Sequence, residues 1–254
     1  MLPRPKKRFG QHFLTDRHYL GRIVETIAPE PGQPMVEIGP GSGLMTDELV
    51  PRLGRLDVVE IDRDLAAALR ARYAPAQLIV HEADVLDFDF TSLAQPLRVV
   101  GNLPYNVSSP ILFRMVEIAD RLRDCVFMLQ KEVVDRMVAD PDTADYGRLS
   151  VMLQYRFAMA MAFRVPPGAF TPPPKVDSAV VRMAPLPATR LRAQDEHRFA
   201  SIVAAAFGQR RKTLRNATRL VAEPGAFERA GIDPGRRGET LSVEEFVALS
   251  DASG

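Results

Sequence analysis

The run Gly101-Asn102-Leu103-Pro104-Tyr105 sets a side-chain amide beside a backbone carbonyl that the following proline restricts, with an aromatic ring next in line. That set suits a flat base bearing an exocyclic amine. The lone pair of such an amine, as on N6 of adenine, is delocalised into the ring, so attack requires its hydrogens to be drawn towards acceptors. The Asn102 side-chain oxygen and the Leu103 carbonyl can supply two, while Tyr105 stacks on the base. This chemistry needs no metal and no covalent nucleophile. A strand-ending turn with a surface tyrosine would look the same locally, and the upstream residues favour the chemical reading.

Upstream, Glu37-Ile38-Gly39-Pro40-Gly41-Ser42-Gly43 follows an apolar run and opens a helical one, so its glycines allow a sharp turn and close approach to a ligand. A dinucleotide fingerprint needs a third glycine at position 44, which is Leu44, and a phosphate loop needs a Gly-Lys-Ser/Thr ending that is missing. The loop therefore suits a ligand without phosphates, such as S-adenosylmethionine. Glu60 lies 21 residues after Gly39, where an α/β unit returns a carboxylate to ribose hydroxyls. Asp62 reads as the cap of the next helix. Asp84 follows a third apolar run and can accept from the adenine amine of the cofactor, although an aspartate there is as often a turn residue.

The elements that must hold these residues alternate. Short β-rich runs at Met35 to Ile38, Leu56 to Ile61, Gln77 to His81, Leu97 to Gly101 and Asp124 to Leu129 predict strands, and Asp16 to Ala28 and Asp64 to Arg72 carry helical spacing. The sheet should be largely parallel, with ligands at the carboxyl ends of its strands. Beyond Gln130 a helix is expected at Lys131 to Val138, then strands at Ala158 to Val165 and Val176 to Met183. Five prolines in Val165 to Pro174 stiffen the loop between those strands and can fix Phe170 in place. A helical region follows, with Ser242 and Glu245 as a capping box and Leu241 and Phe246 as its staple. We place the boundary between domains at 186/187.

The 254-residue chain is 46% hydrophobic and 26% charged, with no apolar run near the length of a membrane span and no secretory signal, so a cytoplasmic globular protein is expected. Cys125 adjoins an apolar run and reads as a buried thiol. The histidines at 12, 18, 81 and 197 have neither metal spacing nor a partnered nucleophile. A net charge of +1 conceals two segments without acids: Arg4, Lys6, Lys7 and Arg8, and then Arg198, Arg210, Arg211, Lys212, Arg215 and Arg219. Lys212, Arg215 and Arg219 are expected on one helical face, meeting phosphates.

Taken together these blocks resemble the bacterial small-subunit rRNA adenine dimethyltransferases over nearly the whole chain. The resemblance rests on Lys7 to Gln11, Glu37 to Gly41, Glu60 to Asp64, Gly101 to Asn106, Met128 to Val133, Tyr146 to Ser150, Ala169 to Val181 and Phe207 to Asn216. It implies a Rossmann-like class I methyltransferase domain at 1–186 with a small all-α C-terminal domain at 187–254, acting as a monomer on 16S rRNA in the small ribosomal subunit. It further implies S-adenosylmethionine contacts at His12, Leu14, Gly39, Glu60, Asp84 and Asn102, catalysis at Asn102, Leu103, Pro104 and Tyr105, and Phe170 as a second ring around the target adenine. His12 stands where the family carries asparagine, which leaves its backbone as the firmer contact. The alternatives are an N6-adenine methyltransferase of large-subunit rRNA or DNA, and an assembly factor acting mainly by binding.

Overall fold

The computed structural model describes residues 12–187, 189–190, 192–209 and 211–254. The basic residues Arg4, Lys6, Lys7, Arg8 and Arg210, and the block Lys7 to Gln11, lie outside the described residues. The elements in chain order are β1 (Phe13–Leu14), α1 (Arg17–Ile27), β2 (Met35–Ile38), α2 (Leu44–Leu53), β3 (Leu56–Glu60), α3 (Arg63–Arg72), β4 (Leu78–Glu82), β5 (Leu97–Asn102), α4 (Ser108–Glu117), β6 (Leu122–Gln130), α5 (Lys131–Met137), α6 (Arg148–Gln154), β7 (Phe157–Val165), β8 (Phe170–Thr171), β9 (Ser178–Pro185), α7 (Glu196–Gly208), α8 (Leu214–Ala217), α9 (Ala226–Arg229) and α10 (Val243–Asp251).

The chain forms two compact units, one of residues up to Val134 with Met159–Pro185, the other of Asp135–Ala158 with Leu186–Gly254. The chain thus passes between units three times, where the sequence suggests one crossing at 186/187. The reason is local packing: Tyr146, Val151 and Tyr155 share a core with Phe199, Ile202, Leu241 and Phe246, and the Tyr146 hydroxyl donates to the Leu241 carbonyl at 2.9 Å.

In the first unit, β2 to β6 are parallel in the order β4-β3-β2-β5-β6, and β9 pairs antiparallel with β6. Runs such as Val99-Val100 and Cys125 to Leu129 are buried on both faces, as a sheet covered by helices requires. Strand order reverses at β2, which lies between β3 and β5, and such a reversal opens a crevice at the carboxyl ends. Helix α1 explains how one wall is held. Asp16 caps it by accepting from the His18 amide, and Leu20, Ile23, Val24 and Ile27 form its buried stripe; each such side chain contributes about 1.5–3 kcal/mol. Its far end is tied to the sheet by Arg98, buried on β5, which donates to Asp124 at 2.7 Å and to the Ala28 carbonyl at 3.2 Å.

In the second unit the basic run departs from expectation. Helix α8 spans only Leu214–Ala217, so Lys212, Arg215 and Arg219 do not share a helical face. Buried Leu214 and Ala217 turn inward, and the amides of Leu214 and Arg215 donate to the carbonyls of Arg236 and Pro234, which holds the segment as a succession of turns. Arg211, Lys212, Arg215 and Arg219 are nevertheless all exposed, without acidic partners among the described residues. Arg198 pairs with Asp195 at 3.6 Å. The capping box of Ser242 and Glu245 forms as expected, with Leu241 and Phe246 buried beside it. No helix among the described residues is long and apolar enough to cross a membrane.

Candidate active site

A cavity of about 180 Å3 opens at the carboxyl ends of β2 to β5, lined among others by Glu37, Gly39, Glu60, Asp84, Asn102 and Tyr105. His12, Leu14, Leu103 and Pro104 line it as well. Of the residues selected from the sequence, only Phe170 is absent from the wall. It is 3% exposed within the core of the first unit, its backbone paired to Leu14 across β1 and β8. Phe170 therefore supports the strand that carries Leu14, next to His12, and its side chain takes no place beside a base in this conformation.

The carboxylate side is built from the glycine turn and two buried acids. Gly41 has φ 58°, and a Cβ there would lie 2.9 Å from the Phe13 ring, so the turn needs glycine both for conformation and for space. Glu60 accepts from the Gly41 amide at 3.1 Å and from the Asp62 amide at 2.9 Å, so the acid that ends β3 also ties down the loop after β2. Burial raises its pKa above the usual carboxylate value, against the pull of those two amides. Glu37 is 1% exposed and accepts from the Thr46 hydroxyl at 2.7 Å. Burial, with Glu60 and Asp47 nearby, pushes its pKa up to about 8. Asp62 caps α3, accepting from the Asp64 amide at 3.0 Å. Asp84 accepts from the Leu86 amide at 2.9 Å, which fixes its carboxylate in a turn facing the cavity.

The amine side is held from further away in the chain. The Asn102 amide nitrogen donates to the His12 carbonyl at 3.1 Å, which turns Oδ1 the other way and leaves it without a donor among the described residues. The Leu103 amide donates to the Met128 carbonyl at 3.1 Å, anchoring the turn to β6, and no described donor reaches the Leu103 carbonyl. Gly101 makes this approach possible, since a Cβ there would lie 2.6 Å from the Ile38 carbonyl oxygen. The Tyr105 hydroxyl is 2.6 Å from Ser178 Oγ. Its ring lies against that of His12, with centroids 5.6 Å apart and planes 26° from parallel. His12 Nδ1 donates to the Pro172 carbonyl at 2.8 Å. Phe13, Thr46 and Ser178 escape a reading by local spacing, because each acts on a site residue through the fold; Ser178 lies within the block Ala169 to Val181 that carries the family resemblance.

Among the described residues no lysine or arginine lines the cavity, while Glu37, Glu60 and Asp84 do. With Glu37 protonated, such a wall offers acceptors for hydroxyls and an amine and no cation for a phosphate.

A parallel sheet with its cavity at the strand reversal, a glycine turn, and an Asn-Leu-Pro-Tyr run at the end of β5 define a Rossmann-like methyltransferase. A family model described as ribosomal RNA adenine dimethylase matches residues 3–253, and the chain belongs to that family. It is 60% identical to a ribosomal RNA small subunit methyltransferase A of Aromatoleum aromaticum, over 98% of this chain and 94% of that one. It is 57% identical to the protein of the same name from Laribacter hongkongensis, over 98% and 96%. Among solved structures, a dimethyladenosine transferase from Plasmodium falciparum shares the fold at TM-score 0.80 and 23% identity, covering 94% of this chain and 96% of its own. The 23S rRNA methyltransferase ErmE matches at TM-score 0.71 and 29% identity, covering 95% and 99%.

Proposed function

We propose that this protein transfers methyl groups from S-adenosylmethionine to N6 of two adjacent adenosines near the 3′ end of 16S rRNA, giving N6,N6-dimethyladenosine, and that it does so as a cytoplasmic monomer on the small ribosomal subunit. The observation that carries this reading is the orientation of Asn102. One N–H of its amide goes to the His12 carbonyl, so Oδ1 and the adjacent Leu103 carbonyl remain as two acceptors beside the Tyr105 ring. Together they draw the hydrogens of a base amine to one side and free its lone pair for attack. Each transfer leaves the neutral thioether S-adenosylhomocysteine and releases one amine proton to water; after the first the amine keeps a single hydrogen, which either acceptor can take, so one site serves both methylations.

The carboxylate side fits the proposed cofactor. The Gly39 and Gly41 backbone admits it closely, Glu60 has lone pairs left for ribose hydroxyls after its two amide bonds, and Asp84 can accept from the adenine amine. His12 and Leu14 contribute through the backbone of the segment over the cavity. When bound, S-adenosylmethionine supplies a methyl group on a sulfonium centre, beside a wall that carries no lysine or arginine among the described residues. The exposed Arg211, Lys212, Arg215 and Arg219 offer contacts to rRNA phosphates, so subunit binding should weaken steeply with salt.

The test is transfer of labelled methyl to unmodified small subunits, naked 16S rRNA, 23S rRNA and DNA, with mass spectrometry of the product nucleosides. Dimethyladenosine at two adjacent 16S positions is expected. Label confined to 23S rRNA or DNA would overturn the substrate, and tight subunit binding without transfer would leave a binding role alone.

A further inference from the structure

Resting on the reading that Tyr105 stacks on the target base, we infer that Ser178 is a positioning residue for methyl transfer, holding the Tyr105 ring at its stacking position through the hydroxyl–hydroxyl bond. Stacking by itself needs only a ring, and phenylalanine would supply one. A half-buried phenol adds the cost of desolvating its hydroxyl unless a partner compensates, and here the partner is a single side chain 2.6 Å away.

That partner is unusually well fixed. Ser178 is completely buried at the first residue of β9, with Gln130 of β6 as its register partner. One residue earlier, the Asp177 carbonyl accepts from the Lys131 amide at 2.9 Å, which clamps the entry to the strand. Strand β6 also carries Met128, whose carbonyl anchors the Leu103 amide. The acceptors of the Asn-Leu-Pro-Tyr turn and the far end of its tyrosine are thus referred to the same two neighbouring strands. The near end is held too: the Ser108 hydroxyl donates to the Tyr105 carbonyl at 3.2 Å, and the Val107 amide donates to the Pro104 carbonyl at 3.2 Å. With backbone and hydroxyl both pinned, the ring axis is held at both ends, so a base laid on the ring is kept beside Oδ1 of Asn102 and the Leu103 carbonyl. Loss of the bond leaves the ring present but its axis free to swing, which lowers the fraction of bound bases in a reactive pose.

The experiment is a double-mutant cycle of Ser178→Ala and Tyr105→Phe, with Ser178→Thr and Tyr105→Ala, in the full-length protein on unmodified small subunits. Single-turnover transfer at saturating subunit is read beside calorimetric binding of S-adenosylhomocysteine. Each single variant is expected to lower the rate by about 3- to 10-fold, the range a single hydrogen bond supports. The double variant should lose no more than either single one, Ser178→Thr should recover most of the rate, and S-adenosylhomocysteine affinity should stay unchanged. Additive losses, a full rate in Tyr105→Phe, or losses that track cofactor affinity would overturn the inference. If Ser178→Ala does not fold, Tyr105→Phe decides alone. Tyr105→Ala separates this from the underlying reading: if it transfers normally, the base does not stack on Tyr105 at all.

Discussion

The two sides of the cavity are assembled over different distances along the chain. On the carboxylate side, Glu37 is bonded to Thr46 nine residues on, and Glu60 to Asp62 and Gly41, two and 19 residues away. On the amine side, Asn102 is oriented by His12 across 90 residues and Tyr105 by Ser178 across 73. The first is a property of consecutive strand–helix–strand units. The second exists only once the N-terminal segment, β5, β6 and β9 have come together, so its precision depends on the closure of the whole unit. Cofactor recognition and base positioning should accordingly separate under mutation.

The largest separation is expected at Asn102→Ala, which removes one of the two acceptors proposed for the reacting amine. Single-turnover transfer should fall by about 10²-fold or more, as for loss of one preorganised hydrogen-bonding group at other active sites, while S-adenosylhomocysteine affinity, to which the family resemblance also assigns Asn102, should fall by less. Equal losses in both would dissolve the distinction between the sides. Next comes Glu60→Ala, which frees two amides and the proposed ribose contact; calorimetry should show cofactor affinity reduced by about 10- to 100-fold, the scale of charged hydrogen bonds. Unchanged affinity would remove Glu60 from the cofactor site.

A third prediction concerns pH. Glu37 has a folded pKa of about 8 against an ordinary 4.5, so between those values the folded protein holds a proton that the unfolded chain has released. The stability this contributes is complete below pH 4.5 and is lost as pH rises through 8. Glu37→Gln, which stays neutral and can still accept from Thr46, should unfold in denaturant at the same midpoint as the parent below about pH 4 and at a higher one at pH 8, by on the order of 4 kcal/mol. Parallel curves for the two proteins would mean that Glu37 is ionised in the fold.

The smallest effects contrast two glycines. Gly41→Ala forces alanine to φ 58° against the Phe13 ring and should cost about 1–2 kcal/mol. Gly21→Ala on α1 meets nothing within 4 Å and should gain about 0.5–1 kcal/mol. Denaturant midpoints measure both, and a loss at Gly21 equal to that at Gly41 would show that space and φ do not distinguish them.

Much of this was legible in the chain. Strands β2 to β6 form within two residues of their predicted spans, since buried parallel strands declare themselves as short apolar runs between helical patterns. Asp62 and Ser242 cap the helices that they precede, because capping acts over three residues. The misjudged features depend on distant neighbours. The basic run breaks into turns because Arg236 and Pro234 capture its amides, and the second unit recruits 135–158 because Tyr146 finds its partner at Leu241.

The sequence by itself determined which chemical groups are available at the strand ends: a phosphate-free glycine turn, an acid at Glu60, and an amide, carbonyl and ring at Asn102 to Tyr105. Those follow from residue type and short-range spacing. Only the tertiary structure decided how the groups point. The orientation of the Asn102 amide, the pinning of Tyr105 to Ser178 and the withdrawal of Phe170 into the core are set by bonds and packing between segments far apart in the chain, and a linear pattern does not encode which of those segments will meet.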